Sequence, residues 1–146
     1  MEIRRATGDD IDPLARLFDA YREFYRAPAN LEGARRFLLE RLEKSQSIIL
    51  LAFHEDAAVG FTQLYPSFSS VSMARIFILN DLFVAPEARR TGAGSALLRA
   101  ASEYAKNAGA VRLELSTERG NSTAQAVYER LGWKRDEDFY VYRLAF

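Results

Sequence analysis

Hydrophobic positions recur every three or four residues in four stretches of the chain, which is the spacing of helices with one apolar face. Asp9 and Asp10 can cap the first of these helices, and Asn121 can cap the last. Gly109 and Gly132 stand where the third and fourth helices should end. The predicted helices cover residues 11–25, 31–44, 95–108 and the segment between Asn121 and Gly132.

Six other stretches have β-type patterns, either apolar runs or alternating apolar and polar residues. They are residues 3–6, 47–53, 58–65, 73–84, 111–117 and 139–146. Residues 54–57 have the composition of a hairpin turn, and residues 66–70 are expected to form a polar loop. The order β-α-α-β-β-β-α-β-α-β predicts one mixed α/β domain over residues 1–146, with a parallel crossover through the third helix.

Composition narrows the functional classes. The 20 Lys and Arg residues equal the 20 Asp and Glu residues, so no overall positive field favours nucleic acid or an anionic membrane. The absence of cysteine excludes disulfides and thiolate chemistry, and the single histidine, His54, makes a metal site or a Ser-His-Asp triad unexpected. No apolar run approaches the roughly 20 residues of a membrane span. We therefore expect a cytoplasmic enzyme or binding module without a metal.

The segment from 80 to 95 carries the clearest chemical signal. An apolar strand ends at Val84, and a basic Gly-x-Gly loop then leads into the third helix. Gly92 and Gly94 leave backbone N–H groups uncovered, and a helix N-terminus adds unpaired donors and a positive dipole end. Arg89 and Arg90 add positive charge. This combination predicts an anion site, most naturally for a phosphate group.

Two common phosphate motifs do not fit this loop. A Walker loop requires a lysine after its last glycine, but Gly94 is followed by Ser95 and Ala96. A Rossmann fingerprint requires a third glycine where this chain has Leu97, and no second βαβ unit is predicted. The phosphate ligand must be of another kind.

A third pattern fits. Arg89-x-x-Gly92-x-Gly94, following a strand that ends in residues 82–86, resembles the acetyl-CoA signature of the GNAT N-acetyltransferase superfamily. About 30 residues downstream, Asn121, Ala124, Tyr128 and the Leu-Gly-Trp run at 131–133 are similar to the family's second motif. The resemblance covers essentially the whole chain. It implies a GNAT-type fold, with a central mixed sheet of about six to seven strands flanked by about four helices.

The resemblance also implies a function. Acetyl-CoA would donate an acetyl group to a primary amine, which attacks directly in a ternary complex without a metal. The alternative is a catalytically silent acyl-CoA-binding sensor or scaffold of the same fold. The residues implied to contact acetyl-CoA are Leu82, Phe83, Val84, Arg89, Arg90, Thr91, Gly92, Ala93, Gly94, Ser95, Asn121, Ala124 and Tyr128.

The chain departs from the family pattern at two places. Arg90 stands where many members have glycine. Some members use a glutamate on the fourth strand as the base, at a position that corresponds here to Asn80 or Ile78. That glutamate is absent, so the base must come from another group or from water.

Three residues are predicted to be catalytic. Tyr128 would protonate the departing thiolate, because a phenol and a thiol have similar pKa values of about 10 and about 8.5. Spacing alone also allows Tyr128 to be one apolar member of its helix stripe. Asp81 is the nearest acid and would act as base, as an anchor for the substrate ammonium or as a structural acceptor. Asn80 could order a water, although strand alternation places it opposite Asp81 unless a bulge intervenes.

The acceptor amine is left open. Aromatic walls suit an alkyl chain or a cation, and they are predicted to come from Tyr21, Tyr25, Tyr65, Phe68, Tyr140 and Tyr142. Of these, Tyr25, Tyr65 and Phe68 are predicted to contact the amine together with Asp81. The same aromatics could simply fill the core. A small-molecule amine (an amino acid, a monoamine or a polyamine) and a protein amino group both remain candidates. The exposed edge of the strand predicted at 139–146 could support a homodimer.

Overall fold

A computed structural model describes residues 1–146, which form two compact units, Met1–Ser116 and Thr117–Phe146. The first unit contains a five-stranded sheet and three of the four α-helices, and the second contains the remaining helix. None of the helices is long and apolar enough to cross a membrane.

The sheet has the strand order β1-β2-β3-β4-β5. Its strands are β1 Glu2–Arg5, β2 Ile48–His54, β3 Ala57–Ser69, β4 Ala74–Val84 and β5 Leu113–Glu114. The first four strands pair antiparallel, and β4 pairs parallel with β5. The predicted crossover helix connects β4 to β5 along the chain. The helices are α1 Ile11–Phe24, α2 Leu31–Glu43, α3 Ala93–Asn107 and α4 Ser122–Arg130. The predicted α/β class and helix count are confirmed.

One face of the sheet is covered by α1 and α2. The apolar stripe of α1, including Leu14 and Phe18, packs with Leu38 of α2 against Leu51 and Phe61 of the sheet. The start of α1 differs from the prediction. Thr7 caps a short 3₁₀ turn that precedes α1, and the carboxylate of Asp10 accepts from the Thr7 N–H and from Arg4.

The other face is covered by α3. Leu97 and Leu98 are buried there, and Tyr104 makes an edge contact with Phe77 of β4 at 5.8 Å. Gly60 of β3 permits this close approach. A Cβ at that position would lie 2.8 Å from the carbonyl oxygen of Phe83 and 3.3 Å from Leu97 Cδ1.

The prediction of a loop at residues 66–70 is wrong for most of that segment. Strand β3 continues to Ser69, with Pro66 opposite Phe77 and Phe68 opposite Arg75. Strand β2 pairs with β3 only as far as Leu64. Beyond that point β3 has a neighbour on one side only, where proline can be accommodated in a strand.

The sheet has five strands rather than six to seven. Residues 139–146 have no regular secondary structure, and the strand predicted at 111–117 is reduced to Leu113–Glu114. An alternating pattern records β propensity, but a strand forms only where a neighbour supplies hydrogen bonds. No strand of the sheet pairs with residues 139–146.

Candidate functional site

The connection between β4 and α3 has the shape that its glycine pattern predicts. After β4 ends at Val84, a 3₁₀ turn at Pro86–Ala88 leads into two residues with left-handed backbone. These are Arg90, with φ of 65°, and Gly92, with φ of 89°. A non-glycine residue pays roughly 1–2 kcal/mol in this conformation. The position where many GNAT members have glycine is thus one where glycine is the unstrained choice.

The N-terminus of α3 has no capping side chain, and there is open space around its two glycines. Gly92 is the N-cap residue and has no side chain to cap the helix, while the first helical hydrogen bond runs from Ala96 N to Gly92 O at 3.0 Å. The N–H groups of Ala93 and Gly94 precede that bond and have no intrahelical acceptor. A Cβ added at Gly94 would meet only Val84 Cγ2 at 3.8 Å, and one at Gly92 would meet nothing within 4 Å. This helix N-terminus can therefore receive an anion.

Side chains of the loop add positive charge and rigidity. Arg89 Nε donates to the carbonyl oxygen of Val84 at 3.1 Å, and its guanidinium lies 5.8 Å from the ring of Phe83. Thr91 donates its hydroxyl to the carbonyl oxygen of Ala88. Arg90 and Thr91 are exposed. Arg89 is therefore held at the base of the loop, whereas Arg90 extends its charge into solvent.

The edge of β4 beyond residue 78 has no neighbouring strand on the β5 side. The parallel pairing is limited to Phe77 with Leu113 and Ile78 with Glu114, yet β4 continues to Val84. Backbone groups of residues 79–84 on this edge are available to an extended ligand in the manner of an added strand. The side chain of Phe83 belongs to the core beneath α1, so Phe83 can contribute only its backbone to that edge.

A bulge interrupts β4 next to this edge. Asp81 lies opposite Gln63, but Leu79 lies opposite Leu64, so Asn80 is the extra residue. The bulge suspends normal strand alternation. As a result, the neighbouring side chains of Asn80 and Asp81 meet, and Asn80 Nδ2 donates to Asp81 Oδ1 at 2.8 Å.

Asp81 is the centre of a buried hydrogen-bond network. The residue is only 3% exposed. Besides Asn80, the hydroxyl of Tyr21 donates to Asp81 Oδ1 at 3.1 Å, and Gln63 Nε2 donates to Oδ2. Gln63 Oε1 in turn accepts from Ser47 Oγ at 2.7 Å. All three donors to the carboxylate are uncharged, and burial raises the pKa of Asp81 above its usual range despite these hydrogen bonds.

Two members of this network, Gln63 and Ser47, were not among the residues that the sequence singled out as catalytic or binding, whereas Tyr21 was predicted as an aromatic wall of the acceptor pocket. Gln63 had a detectable signal, because a polar residue inside an otherwise apolar strand is unusual and requires a partner. Tyr21 had an aromatic signal, but the sequence gave no indication of its hydrogen bond to Asp81. Ser47 precedes β2 and could not have been linked to Gln63 without the register of the strands.

The predicted acceptor residues do not all lie together. Tyr25 makes an edge contact with Tyr21 at 5.2 Å, and burial together with the charge of Asp81 raises the pKa of Tyr65 to about 12. Tyr65 therefore lies near Asp81, whereas Tyr25 is connected to Asp81 through Tyr21. Phe68 is separate from this group: it is 67% exposed and lies under the guanidinium of Arg75 at 4.1 Å.

The second unit contains the downstream motif. Asn121 caps α4 by accepting the N–H of Ala124 at 3.3 Å. The helix ends in a Schellman motif, in which Gly132, with φ of 95°, donates to the carbonyl oxygen of Glu129 and Trp133 N donates to that of Tyr128. Tyr128 is half-buried, and its ring centroid lies 6.1 Å from that of Trp133. The Leu-Gly-Trp run at 131–133 therefore forms the end of α4.

Comparison with known proteins agrees with this geometry. The sequence profile of the Acetyltransferase (GNAT) family matches residues 14–133. The uncharacterized N-acetyltransferase YhfO of Bacillus subtilis (strain 168) is 52% identical over 99% of this chain and 97% of its own length. A crystal structure of a probable acetyltransferase superposes with a TM-score of 0.95 at 45% identity, covering 100% of this chain and 98% of that one.

The chain therefore belongs to the GNAT acetyltransferase family, and it is an N-acetyltransferase. A more distant relative, the thialysine N-epsilon-acetyltransferase of Caenorhabditis elegans, is 23% identical over 98% of this chain and 91% of its own length.

Proposed function

We propose that residues 1–146 act as one domain that transfers the acetyl group of acetyl-CoA to a primary amine. The observation that carries this proposal is the segment from β4 to α3. Here a strand edge without a partner leads into a left-handed loop and an open helix N-terminus. A family match at residues 14–133, which includes parts of both compact units, supports treating them as one functional domain.

The anion site suits the pyrophosphate of acetyl-CoA. The N–H groups of Ala93 and Gly94 would donate to its oxygens, and the neighbouring Thr91 and Ser95 are polar. The charge of Arg90 is exposed beside them. Backbone groups of Leu82, Phe83 and Val84 would hold the extended pantetheine arm by strand-like hydrogen bonds. Asn121, Ala124 and Tyr128 remain predicted contacts in the second unit.

Acetyl-CoA would supply an activated acyl group, and the protein would manage two protons. An alkylammonium, with a pKa of about 10, must lose a proton before its nitrogen can attack. The carboxylate of Asp81, with its hydrogen-bond network, is the acidic group beside the unpaired edge of β4. We assign Asp81 the role of proton acceptor. Tyr128 would give its phenolic proton to the departing thiolate, and the second proton that the nitrogen loses as the amide forms would restore the phenol.

The acceptor is proposed to be a small molecule with a primary alkylamine. Tyr25 and Tyr65 lie near the Asp81 network, and an ammonium could bind there beside their aromatic rings. Asp81 is the single acid of its hydrogen-bond network, so an amine with one positive charge is preferred to a polyamine. The name of the thialysine relative points in the same direction. Phe68 remains a prediction at the outer part of β3, and a protein amino group remains the competing acceptor.

A second copy of the chain is the proposed partner of residues 139–146. Phe139, Tyr140, Val141, Tyr142, Leu144 and Phe146 are each at least 73% exposed. A run of exposed apolar side chains of this length marks an interaction surface. We propose that it pairs with the same segment of another copy, giving a homodimer.

The proposed function is tested by an acetyl-CoA-dependent screen of amines with thiol release as the readout. The panel contains thialysine, lysine, ethanolamine, spermidine, kanamycin and a peptide with a free N-terminus. We expect thiol release with at least one small amine. Tight acetyl-CoA binding without transfer to any of them would instead favour a silent acyl-CoA sensor.

The cofactor site is tested separately with Gly94→Ala. The added methyl group has room within the protein but occupies the space in which the pyrophosphate would lie. We expect KM for acetyl-CoA to rise about tenfold or more, as for the loss of a hydrogen bond to a charged group. Gly8→Ala is the matched control, because its Cβ also meets nothing within 4 Å. An unchanged KM in Gly94→Ala would contradict the assignment.

A further inference from the structure

The carboxylate of Asp81 is too enclosed to meet an acceptor amine directly. The residue is 3% exposed, and Asp81 Oδ1 already accepts from two side chains while Oδ2 accepts from a third. A base must come within hydrogen-bond distance of the proton it removes, either directly or through an intermediate group. The proton must therefore reach Asp81 through one of its hydrogen-bond partners.

Only one of these partners can transmit a proton. Gln63 is fully buried. Its amide N–H groups, like those of Asn80, donate hydrogen bonds but do not take up and release protons under ordinary conditions. Tyr21 presents a hydroxyl group, which can accept a proton on its oxygen while passing on its own. Tyr21 is half-buried, so it joins the interior of the network to the surface of the protein.

The position of Tyr21 agrees with this role. Its hydroxyl oxygen also lies 3.3 Å from the carbonyl oxygen of Asn80, the bulged residue of β4. It therefore sits against the part of β4 that has no partner strand on the β5 side. Its ring is held by edge contacts with Phe61 at 5.7 Å and Phe83 at 6.2 Å. The ring is thus fixed by two strands and does not depend on the hydrogen bond for its orientation.

We propose that Tyr21 relays the proton of the acceptor ammonium to Asp81, an inference that rests on the proposed acetyl transfer. The N–H bond of the ammonium breaks, and its electron pair stays on nitrogen. The released proton bonds to the Tyr21 oxygen while the Tyr21 hydroxyl proton moves to Asp81 Oδ1. A free amine and a neutral carboxylic acid result, and the acid returns its proton to solvent when the product leaves.

The remaining members of the network position this relay. Gln63 holds Oδ2, and Ser47 fixes the orientation of the Gln63 amide by donating to its oxygen. Asp81 is thereby turned so that Oδ1 faces Tyr21. We assign Gln63 and Ser47 as positioning residues, since neither reaches the surface.

The titratable and charged groups around the relay come from four elements. Asp81 lies on β4, Tyr65 on β3, Arg41 near Tyr65 on α2, and Tyr21 on α1, which Tyr25 directly follows. Burial and the charge of Asp81 raise the pKa of Tyr21 far above its ordinary value. Tyr21 therefore stays a protonated phenol across the working range, as a relay requires, and Asp81 is the group that changes charge.

The test compares Tyr21→Phe with wild type on two kinds of acceptor. One is the fastest alkylamine among thialysine, lysine, ethanolamine, spermidine and kanamycin, which is protonated at neutral pH. The other is hydroxylamine, which is largely uncharged at neutral pH. Its nitrogen therefore needs no deprotonation before it attacks. We expect Tyr21→Phe to lower kcat/KM for the alkylamine about 100-fold at pH 7, the usual contribution of a general base. Hydroxylamine turnover should stay within about threefold.

The pH profile and a double variant supply independent readouts. The loss caused by Tyr21→Phe should shrink as pH approaches the pKa of the alkylamine, because the free amine then needs no relay. Asp81→Asn should show the same pH profile, and adding it to Tyr21→Phe should cause little further loss, since members of one relay act as a unit. Tyr104→Phe, on the opposite face of the sheet, is the matched control and should behave as wild type.

The outcomes separate the relay from the function on which it rests. Equal losses with both acceptors and at all pH values would give Tyr21 a structural role and overturn the relay. Wild-type kinetics in Tyr21→Phe would overturn it as well. If wild-type protein releases no thiol with any amine, the proposed acetyl transfer fails and the relay fails with it.

Discussion

At the scale of single residues, the site depends on a few side chains in costly environments. Asp81 is a carboxylate in the interior with three uncharged donors, and Arg90 adopts a left-handed backbone. Both features lower stability, by the desolvation of a charge in the first case and by backbone strain in the second. Residues of this kind cluster at functional sites, where they are retained for chemistry.

The burial of Asp81 predicts a pH-dependent stability. Its folded-state pKa lies above the value of about 4 that it has when unfolded, so the folded state holds the proton more tightly. The wild type should therefore lose stability as pH rises from about 4 through the folded-state pKa. Relative to wild type, Asp81→Asn should gain on the order of 1 kcal/mol between pH 4.5 and pH 7. Thermal unfolding at both pH values measures this, and a pH-independent difference would contradict it.

Arg90 combines strain with charge, and two variants separate them. Arg90→Gly should change the free energy of unfolding by less than about 1 kcal/mol, because relief of left-handed strain offsets the greater freedom of glycine in the unfolded chain. Arg90→Ala removes the charge but keeps the strain. Both should raise the Kd for acetyl-CoA by a similar factor of about three to ten. Denaturation and calorimetric titration provide the two readouts, and unchanged Kd values would remove Arg90 from the cofactor site.

At the scale of elements, the site lies where regular structure is interrupted. Strand β4 bulges at Asn80, loses its neighbour on the β5 side after Ile78 and then turns into a helix whose N-cap is Gly92. Each interruption exposes backbone groups that an uninterrupted sheet or helix would pair. Gly60 of β3 packs closely against both the backbone of β4 and Leu97 of α3, which helps to keep this arrangement in place.

Gly60 tests this packing. Gly60→Ala would place a Cβ 2.8 Å from the carbonyl oxygen of Phe83, which is backbone and cannot easily move. We expect the variant to lose about 1–3 kcal/mol of stability, the usual range for an overpacked core. Gly94→Ala serves as the comparison and should stay within about 0.5 kcal/mol, since no atom crowds its Cβ. A stable Gly60→Ala protein would mean that β4 and α3 can shift away from this position without loss.

At the scale of the whole molecule, the sheet has fewer strands than the family resemblance implied. Five strands pair, and residues 139–146 remain outside the sheet with their apolar side chains exposed. Ligand binding and self-association are the two whole-molecule properties that the proposals address. Each changes a quantity that can be measured without knowing the acceptor amine.

Acetyl-CoA should stabilise the protein against heat. A ligand at 100 times its Kd adds about 2.7 kcal/mol, which corresponds to a rise in Tm of roughly 5–10 °C for a chain of this size. Gly94→Ala should show a smaller rise at the same concentration, and Gly8→Ala the same rise as wild type. The absence of any shift at millimolar acetyl-CoA would contradict the cofactor assignment.

Self-association should depend on residues 139–146. The double change Tyr142→Lys and Leu144→Lys places two like charges on the exposed apolar run and should turn a dimer into a monomer. Sedimentation equilibrium of wild type and variant measures the mass directly. A monomeric wild type at micromolar concentration would exclude the proposed dimer.

The sequence by itself determined the helices, the crossover and the shape of the loop between β4 and α3. Those features depend on local spacing: an apolar residue every third or fourth position, a cap, or a glycine after a strand. Asn121 and Gly132 illustrate this, since both occupy the cap positions that the pattern predicts. The resemblance of the two motifs to the GNAT family likewise needed only the order and spacing of residues, and the family match confirms it.

Only the tertiary structure decided the features that depend on strand pairing and on contacts between different elements. The bulge at Asn80 sets which side chains meet Asp81, and it follows from the register of β3 against β4. The joining of Ser47, Gln63 and Tyr21 into one network needs three elements to pack together. The continuation of β3 through Pro66 and the missing strand at 139–146 also depend on which neighbours are present. Local spacing carries no record of these contacts, because each is made between residues distant along the chain.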